Sequence, residues 1–109
     1  MAYDETLAKN LRKLIAKRDD FYEQKMFGGI GYLLRGNMCF CIWKDNLILR
    51  LGEVNAQSSV KKKYVIPFDI TGRPLKGWVM VTPEGMKSQV TLKRWVNQVI
   101  DFVMGLPRK

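Results

Sequence analysis

Between residues 21 and 52 the sequence divides into four short apolar runs separated by tight turn signals, and this pattern constrains the fold more than any other feature. Phe21 to Phe27 breaks at Gly28-Gly29, Ile30 to Arg35 at Gly36-Asn37, Met38 to Trp43 at Lys44-Asp45-Asn46, and Leu47 to Leu51 at Gly52. Connections this short join antiparallel neighbours, so the stretch predicts a β-meander. Met38-Cys39-Phe40-Cys41-Ile42-Trp43 is apolar at every position. A strand of that kind is either central and covered on both faces, or packs a partner subunit on one of them. Strict alternation along it would point Cys39 and Cys41 to the same face.

Helical periodicity flanks the meander. Leu7, Leu11, Leu14 and Ile15 recur at helical spacing within a segment predicted from about Asp4 to Arg18, with acids in its first turn and Lys17 and Arg18 in its last. Glu53 to Lys63 predicts a short polar helix anchored by Val54 and Val60. Tyr64 to Ile70 is extended by composition, with Pro67 demoting its middle to a sheet edge. Trp78 to Val81 predicts a last strand, followed by a turn at Pro83-Glu84-Gly85. The final helix runs from about Ser88 or Thr91 to Met104, with a buried stripe of Leu92, Trp95, Val96, Val99 and Val103, and stops at Gly105 and Pro107. The expected architecture is α+β in two layers: an antiparallel sheet of about five strands, one face packed by the N- and C-terminal helices.

Composition narrows the chemistry. The chain of 109 residues has the size of one domain and contains no histidine, which removes histidine-based triads, proton shuttles and histidine-ligated metals. Two cysteines cannot build a disulfide framework or a four-thiolate zinc site, and their apolar surroundings predict inert, buried thiols. No cofactor or metal is expected. No leader-like segment or long apolar run is present, so the expected setting is cytoplasmic, with no membrane association. Most acids sit at helix ends or turns; Asp69, between Phe68 and Ile70, reads as a general base or as a carboxylate that ties loop amides or pairs with Arg73. Gly28-Gly29-Ile30-Gly31 lacks the Lys-Ser/Thr of a phosphate loop and reads as a bend with close backbone packing.

The formal net charge is +9. Between positions 60 and 77, Lys61, Lys62, Lys63, Arg73 and Lys76 face Asp69 alone, with Tyr64 and Phe68 interleaved and Trp78 just beyond. Such a patch suits an anionic group on a protein or nucleic-acid partner, or is a solvated face. No helix-turn-helix, zinc-finger, RRM or KH signature accompanies it.

Three phrases carry a family resemblance: Lys25-Met26-Phe27-Gly28-Gly29, Gly36-Asn37-Met38-Cys39, and Asp69-Ile70-Thr71-Gly72-Arg73-Pro74-Leu75-Lys76-Gly77-Trp78-Val79. Together they resemble the N-terminal domain of the TfoX/Sxy competence regulators, with Ile70 where phenylalanine is expected and Leu75 where methionine is common. The resemblance extends over essentially the whole chain, so the expected organisation is a single, stand-alone domain over residues 1–109. It implies an antiparallel α+β fold similar to secretion-chaperone-like domains. It implies no catalysis, and a role in transcriptional control of bacterial competence acting with the cyclic-AMP receptor protein. Within the motif, Gly28 and Gly29 would let the chain bend where Met26 and Phe27 enter the core, and Asn37 would supply a hairpin turn. Gly72 and Gly77 would bracket a loop presenting Arg73 and Lys76, anchored by Leu75 and Trp78. Asp69, Thr71 and Pro74 complete the structural set. The expected reading is a non-enzymatic interaction domain with a protein partner, a nucleic-acid module using residues 61–76 being the alternative. The apolar third run leaves a homodimer open.

Overall fold

A computed structural model describes residues 3–26, 29–68 and 76–107. Helix α1 spans Glu5–Ile15, and the meander is β1 (Phe21–Met26), β2 (Gly29–Leu34), β3 (Asn37–Trp43) and β4 (Asn46–Arg50). Helix α2 (Glu53–Ser59) leads to β5 (Val65–Pro67) and β6 (Trp78–Val81), and a 3-10 turn (Pro83–Met86) precedes α3 (Gln89–Met104). The six strands pair antiparallel, in the order β1-β2-β3-β4-β6-β5. The α+β expectation holds, with six strands instead of about five, because three residues around Pro67 pair at the sheet edge.

Local chemistry sets the boundaries. The Asp4 carboxylate caps α1, accepting from the amides of Thr6 (2.9 Å) and Leu7 (3.1 Å). The helix ends three residues before the predicted Arg18, whose guanidinium instead binds Asp20 through two contacts of 3.0 and 3.1 Å. Ser88 caps α3 by accepting from the Thr91 amide at 3.0 Å. Helix α2 stops at Ser59, short of the predicted Lys63. It is anchored by Ala56, Ser59 and Val60, whereas the expected anchor Val54 is 77% exposed.

Two expectations about the meander need correction. The β2–β3 turn is Arg35-Gly36, not Gly36-Asn37: both turn residues have positive φ (54° and 84°), the backbone twist that two-residue hairpins require. Asn37 is already the first residue of β3. Its side chain is buried and its Nδ2 donates to the Pro107 carbonyl at 2.9 Å, tying the hairpin to the segment after α3. Gly29 is likewise a strand residue. A Cβ there would overlap the Ile42 carbonyl oxygen, so the predicted close backbone packing is real although the bend is not at Gly29. Phe27 and Gly28 lie outside the described residues, as does the side chain of Met26.

The second correction concerns the cysteines. Tyr32 pairs with Phe40 but Leu33 pairs with Met38, so Cys39 is an extra residue in β3. This bulge places Cys39 in the helix-side core, whereas Cys41 pairs with Ile48 and lies outside that core. The two thiols therefore face opposite sides of the sheet.

Helices α1, α2 and α3 cover one face. Leu7 and Leu11 of α1 and Leu92, Val96 and Val99 of α3 join Tyr32, Phe40, Leu47, Leu49 and Val79 in one buried cluster. The predicted stripe of α3 is buried at all five positions. The Tyr32 and Phe40 rings stack at 5.0 Å. Each fully buried aliphatic side chain contributes about 1.5–3 kcal/mol. At the end of β4, Gly52 (φ 88°) begins the turn into α2 beneath the Phe102 ring, where a Cβ would lie 2.6 Å from a ring carbon.

The opposite face has no helix over it among the described residues. Register places Leu33, Met38, Cys41, Ile48, Trp78 and Met80 there. Ile48 and Phe68 are buried but belong to no part of the helix-side cluster. The apolar third run thus lies in the sheet interior, one face packed by the helices and the other without a helix over β3 among the described residues. No helix among the described residues is long and apolar enough to cross a membrane.

Candidate functional site

The turn that follows α2 carries the basic run predicted from sequence. It is closed by amides of Lys61 and Lys62 donating to the Ser58 (3.4 Å) and Ser59 (2.9 Å) carbonyls. The chain then reverses at Tyr64, which has φ 70°, a conformation unusual for a bulky residue. Its carbonyl is held at 3.0 Å by the amide of Thr82, the residue after β6, which pins the turn in place.

This pinned turn faces the first half of α3. Lys62 and Lys63 from the turn and Arg94 from α3 line a cavity of about 290 Å³ with Trp95 and Tyr64 as its aromatic walls. Thr91 and Gln98 lie on the same helix face and complete the polar lining. The Lys62 Nζ lies 5.2 Å from the Trp95 ring centroid, and the Lys63 Nζ 5.2 Å from that of Tyr64. Each ring steadies a cation through its negative face while leaving the ammonium donors available. The Trp95 Nε1 donates to the Gly85 carbonyl at 3.4 Å, fixing the indole as a wall. Among the described residues no carboxylate lines the cavity and no acid pairs with these three cations. Three cations converging on one cavity of this size suit a single anionic group such as a carboxylate or phosphate.

The remaining predicted cations are placed differently. Lys61 is exposed and lines neither cavity described here. Lys76 borders a second, mostly apolar cavity of about 210 Å³, whose lining also includes Glu53, Trp78, Val60 and Pro67. Arg73 falls outside the described residues, together with Asp69, Ile70, Thr71, Gly72, Pro74 and Leu75. The proposed Asp69–Arg73 pair and the anchoring of that loop by Leu75 are therefore outside the description. Of the family phrases within it, the Gly77 carbonyl accepts from the amides of Leu51 (2.8 Å) and Gly52 (3.1 Å), fixing the approach to α2. Trp78 is half-buried beside Phe68, with ring centroids 6.3 Å apart. Lys25 is exposed on β1. Met38 is half-buried on the uncovered face.

Sequence reasoning missed the contribution of α3. Thr91, Arg94, Trp95 and Gln98 are spaced at i, i+3, i+4 and i+7, which is one helix face, and Trp95 belongs both to that face and to the buried stripe. Elsewhere the described ion pairs cluster at the other end of the molecule: Arg12 with Glu23 at 2.7 Å, and Arg18 and Arg35 with Asp20 at 3.0 and 3.6 Å. Burial pushes both thiols up to about 12, so neither is an activated nucleophile near neutral pH.

A family model described as the TfoX N-terminal domain matches residues 13–103. That span contains all three family phrases, β1 to β6 and nearly all of α3. No curated relative and no solved structure matches the chain. The match covers most of the sequence, and the chain belongs to the TfoX N-terminal domain family.

Proposed function

We propose that this domain is a non-enzymatic interaction module of a competence-type regulatory system, and that it docks an acidic segment of a protein partner at the Lys62–Lys63–Arg94 pocket. The observation that carries this reading is the convergence of three cations on a cavity walled by Trp95 and Tyr64, with no acid in its lining. Family membership supports a regulatory role; transcriptional control through a protein partner is the form of it proposed here. A carboxylate-bearing side chain fits a cavity of this size, and the aromatic walls supply apolar contact for its stem.

A second reading has its own support. Lysine-flanked aromatics also suit single-stranded nucleic acid, whose phosphates meet cations while bases stack on rings. Against it, both rings already carry a lysine, and the three cations line a single cavity instead of an extended groove.

A titration with an oligoglutamate peptide and with single-stranded and duplex DNA, repeated at several salt concentrations, separates the readings. The docking reading expects peptide binding that weakens about tenfold or more in Lys62→Ala plus Arg94→Ala and is unchanged in Lys61→Ala. Tighter DNA binding with a steep salt slope, lost in the same double variant, would transfer the site to nucleic acid. Peptide binding indifferent to Lys62 and Arg94 contradicts both.

A further inference from the structure

The sheet ends in two strands of different character. β5 is three residues long and ends in Pro67, the kind of edge that resists further pairing. β1 is six residues long, contains no proline, and keeps an unbroken register with β2 from Phe21↔Leu34 to Met26↔Gly29. One bond fixes the direction of its backbone groups. The Arg35 amide donates to the Asp20 carbonyl at 3.3 Å, so Asp20 points toward β2. Alternation then directs the amides and carbonyls of Phe21, Glu23 and Lys25 outward. Among the described residues no strand and no backbone hydrogen bond occupies that outer edge. Tyr22 is 64% exposed, and Gln24 and Lys25 are exposed beside it.

We propose that β1 pairs antiparallel with β1 of a second copy of the chain, about a two-fold axis at Gln24. The order of charges selects both the occupant and the register. Outward-pointing residues must meet outward-pointing residues, which restricts where the axis can fall. With the axis at Glu23 or at Lys25, a residue of that charge stands directly opposite its own copy, which is destabilising. With the axis at Gln24, Glu23 of each copy stands opposite Lys25 of the other. The run Glu23-Gln24-Lys25 is therefore its own complement when reversed, and a foreign strand would have to reproduce its spacing. The Lys62–Lys63–Arg94 pocket contains no residue of β1, so this proposal is independent of the anion-docking reading.

The surroundings of β1 suit this pairing. By register Glu23 and Lys25 lie on the helix side of the sheet, opposite Tyr32 and Ile30. Glu23 is already held there by the Arg12 guanidinium at 2.7 and 3.1 Å, and a carboxylate keeps acceptor sites for a further ammonium. Tyr22 and Gln24 lie on the other side, where Gln24 would meet its own copy with Tyr22 diagonal to it. Helix α1 leaves the approach open. It begins beside the β3–β4 turn, where the Asp4 amide donates to the Lys44 carbonyl at 2.7 Å. Contact with β1 comes later in the chain, through Arg12 at Glu23 and Arg18 above the Phe21 ring. The Phe21 end of β1 is therefore covered and the Lys25 end is open, and the two-fold axis sets the covered end of one copy against the open end of the other. Such a contact supplies about four backbone hydrogen bonds besides the charge pairs, a weak interface with a dissociation constant on the order of 100 µM.

Sedimentation equilibrium of the full chain up to about 1 mM, with charge-reversed variants, tests the proposal. The wild-type protein is expected to dimerise. Glu23→Lys and Lys25→Glu, each alone, set like charges opposite and should weaken association at least about tenfold. Mixing the two variants restores opposite charges across the axis, so the mixture should associate about as tightly as the wild type. That rescue separates pairing from the loss of the Arg12–Glu23 contact within one chain. Circular dichroism establishes that both variants are folded. Should Glu23→Lys not fold, amide exchange in the wild-type protein decides the matter. The outward amides of Glu23 and Lys25 should exchange at least about threefold more slowly at about 1 mM than at about 20 µM, while those of Tyr22 and Gln24, directed at β2, change less. A wild-type monomer at 1 mM, single variants that dimerise as the wild type does, a mixture of folded variants that fails to associate, or outward amides indifferent to concentration overturns the proposal.

Discussion

The two faces of the sheet are built from the same six strands and lead opposite lives. On the helix side, Tyr32, Phe40, Leu47, Leu49 and Val79 interlock with α1 and α3, and each is fully buried. On the other side, Leu33, Met38, Cys41 and Met80 present apolar groups that no described helix covers. Neighbouring residues of one strand therefore serve different ends. Those facing the helices are sealed in the core, and those facing away are, apart from Ile48, only partly buried. The contrast teaches that the hydrophobicity of a strand does not measure its contribution to monomer stability.

The most direct way to break the comparison is to truncate one side chain on each face. Leu49→Ala, in the sealed cluster, is expected to cost about 3 kcal/mol in urea unfolding, through lost burial and the cavity left behind. Met80→Ala, one strand away on the other face, should cost under about 1 kcal/mol, because its side chain is only half-buried. Equal losses would mean that both faces serve monomer stability alike.

Gly29→Ala sharpens the comparison from the backbone side. The added methyl group meets the Ile42 carbonyl, which is fixed by the sheet and cannot swing aside. A loss of about 1–3 kcal/mol is expected from the same denaturation curves, with the native fold retained at low temperature. A neutral outcome would show that β2 and β3 can separate locally without loss.

A smaller effect is expected at the end of the sheet. The hydrogen-bonded Arg18 guanidinium holds the Asp20 carboxyl below its ordinary value, with Arg35 adding to the pull. The folded-state value is depressed, so this stabilisation is present above the ordinary carboxylate range and is lost as pH falls through the lowered one. The pair is partly exposed and contributes about 0.2–1 kcal/mol. Asp20→Asn should therefore lower stability slightly at neutral pH and flatten the acid limb of the stability curve; an unchanged limb would assign no role to the pair.

Much of this organisation was legible in the sequence, and the exceptions have specific causes. Turn residues delimited the meander and periodicity located α1 and α3, because both are local properties of the chain. The Arg35-Gly36 turn was displaced by one residue since Asn37, a common turn former, is used here for a tertiary bond to Pro107. The bulge at Cys39 is a matter of register between strands, which alternation within one strand cannot reveal. The cationic run was visible at Lys61 to Lys63, but its partners Arg94 and Trp95 come from a helix about thirty residues later, and only packing brings them together. Lys76, close to that run in sequence, was drawn off to a different cavity beside Glu53.

The sharpest test of the two-faced sheet uses the two cysteines, which differ by a single intervening residue. Burial pushes both thiols up, so neither is activated and access to the reagent governs their modification. Cys39 is sealed beneath the helices, and Cys41 is half-buried on the uncovered face. Pulsed alkylation of dilute protein, with mass spectrometry resolving the two sites, should modify Cys41 at least about ten times faster than Cys39, which waits for the helix layer to open. Equal rates, or faster modification of Cys39, would contradict the account.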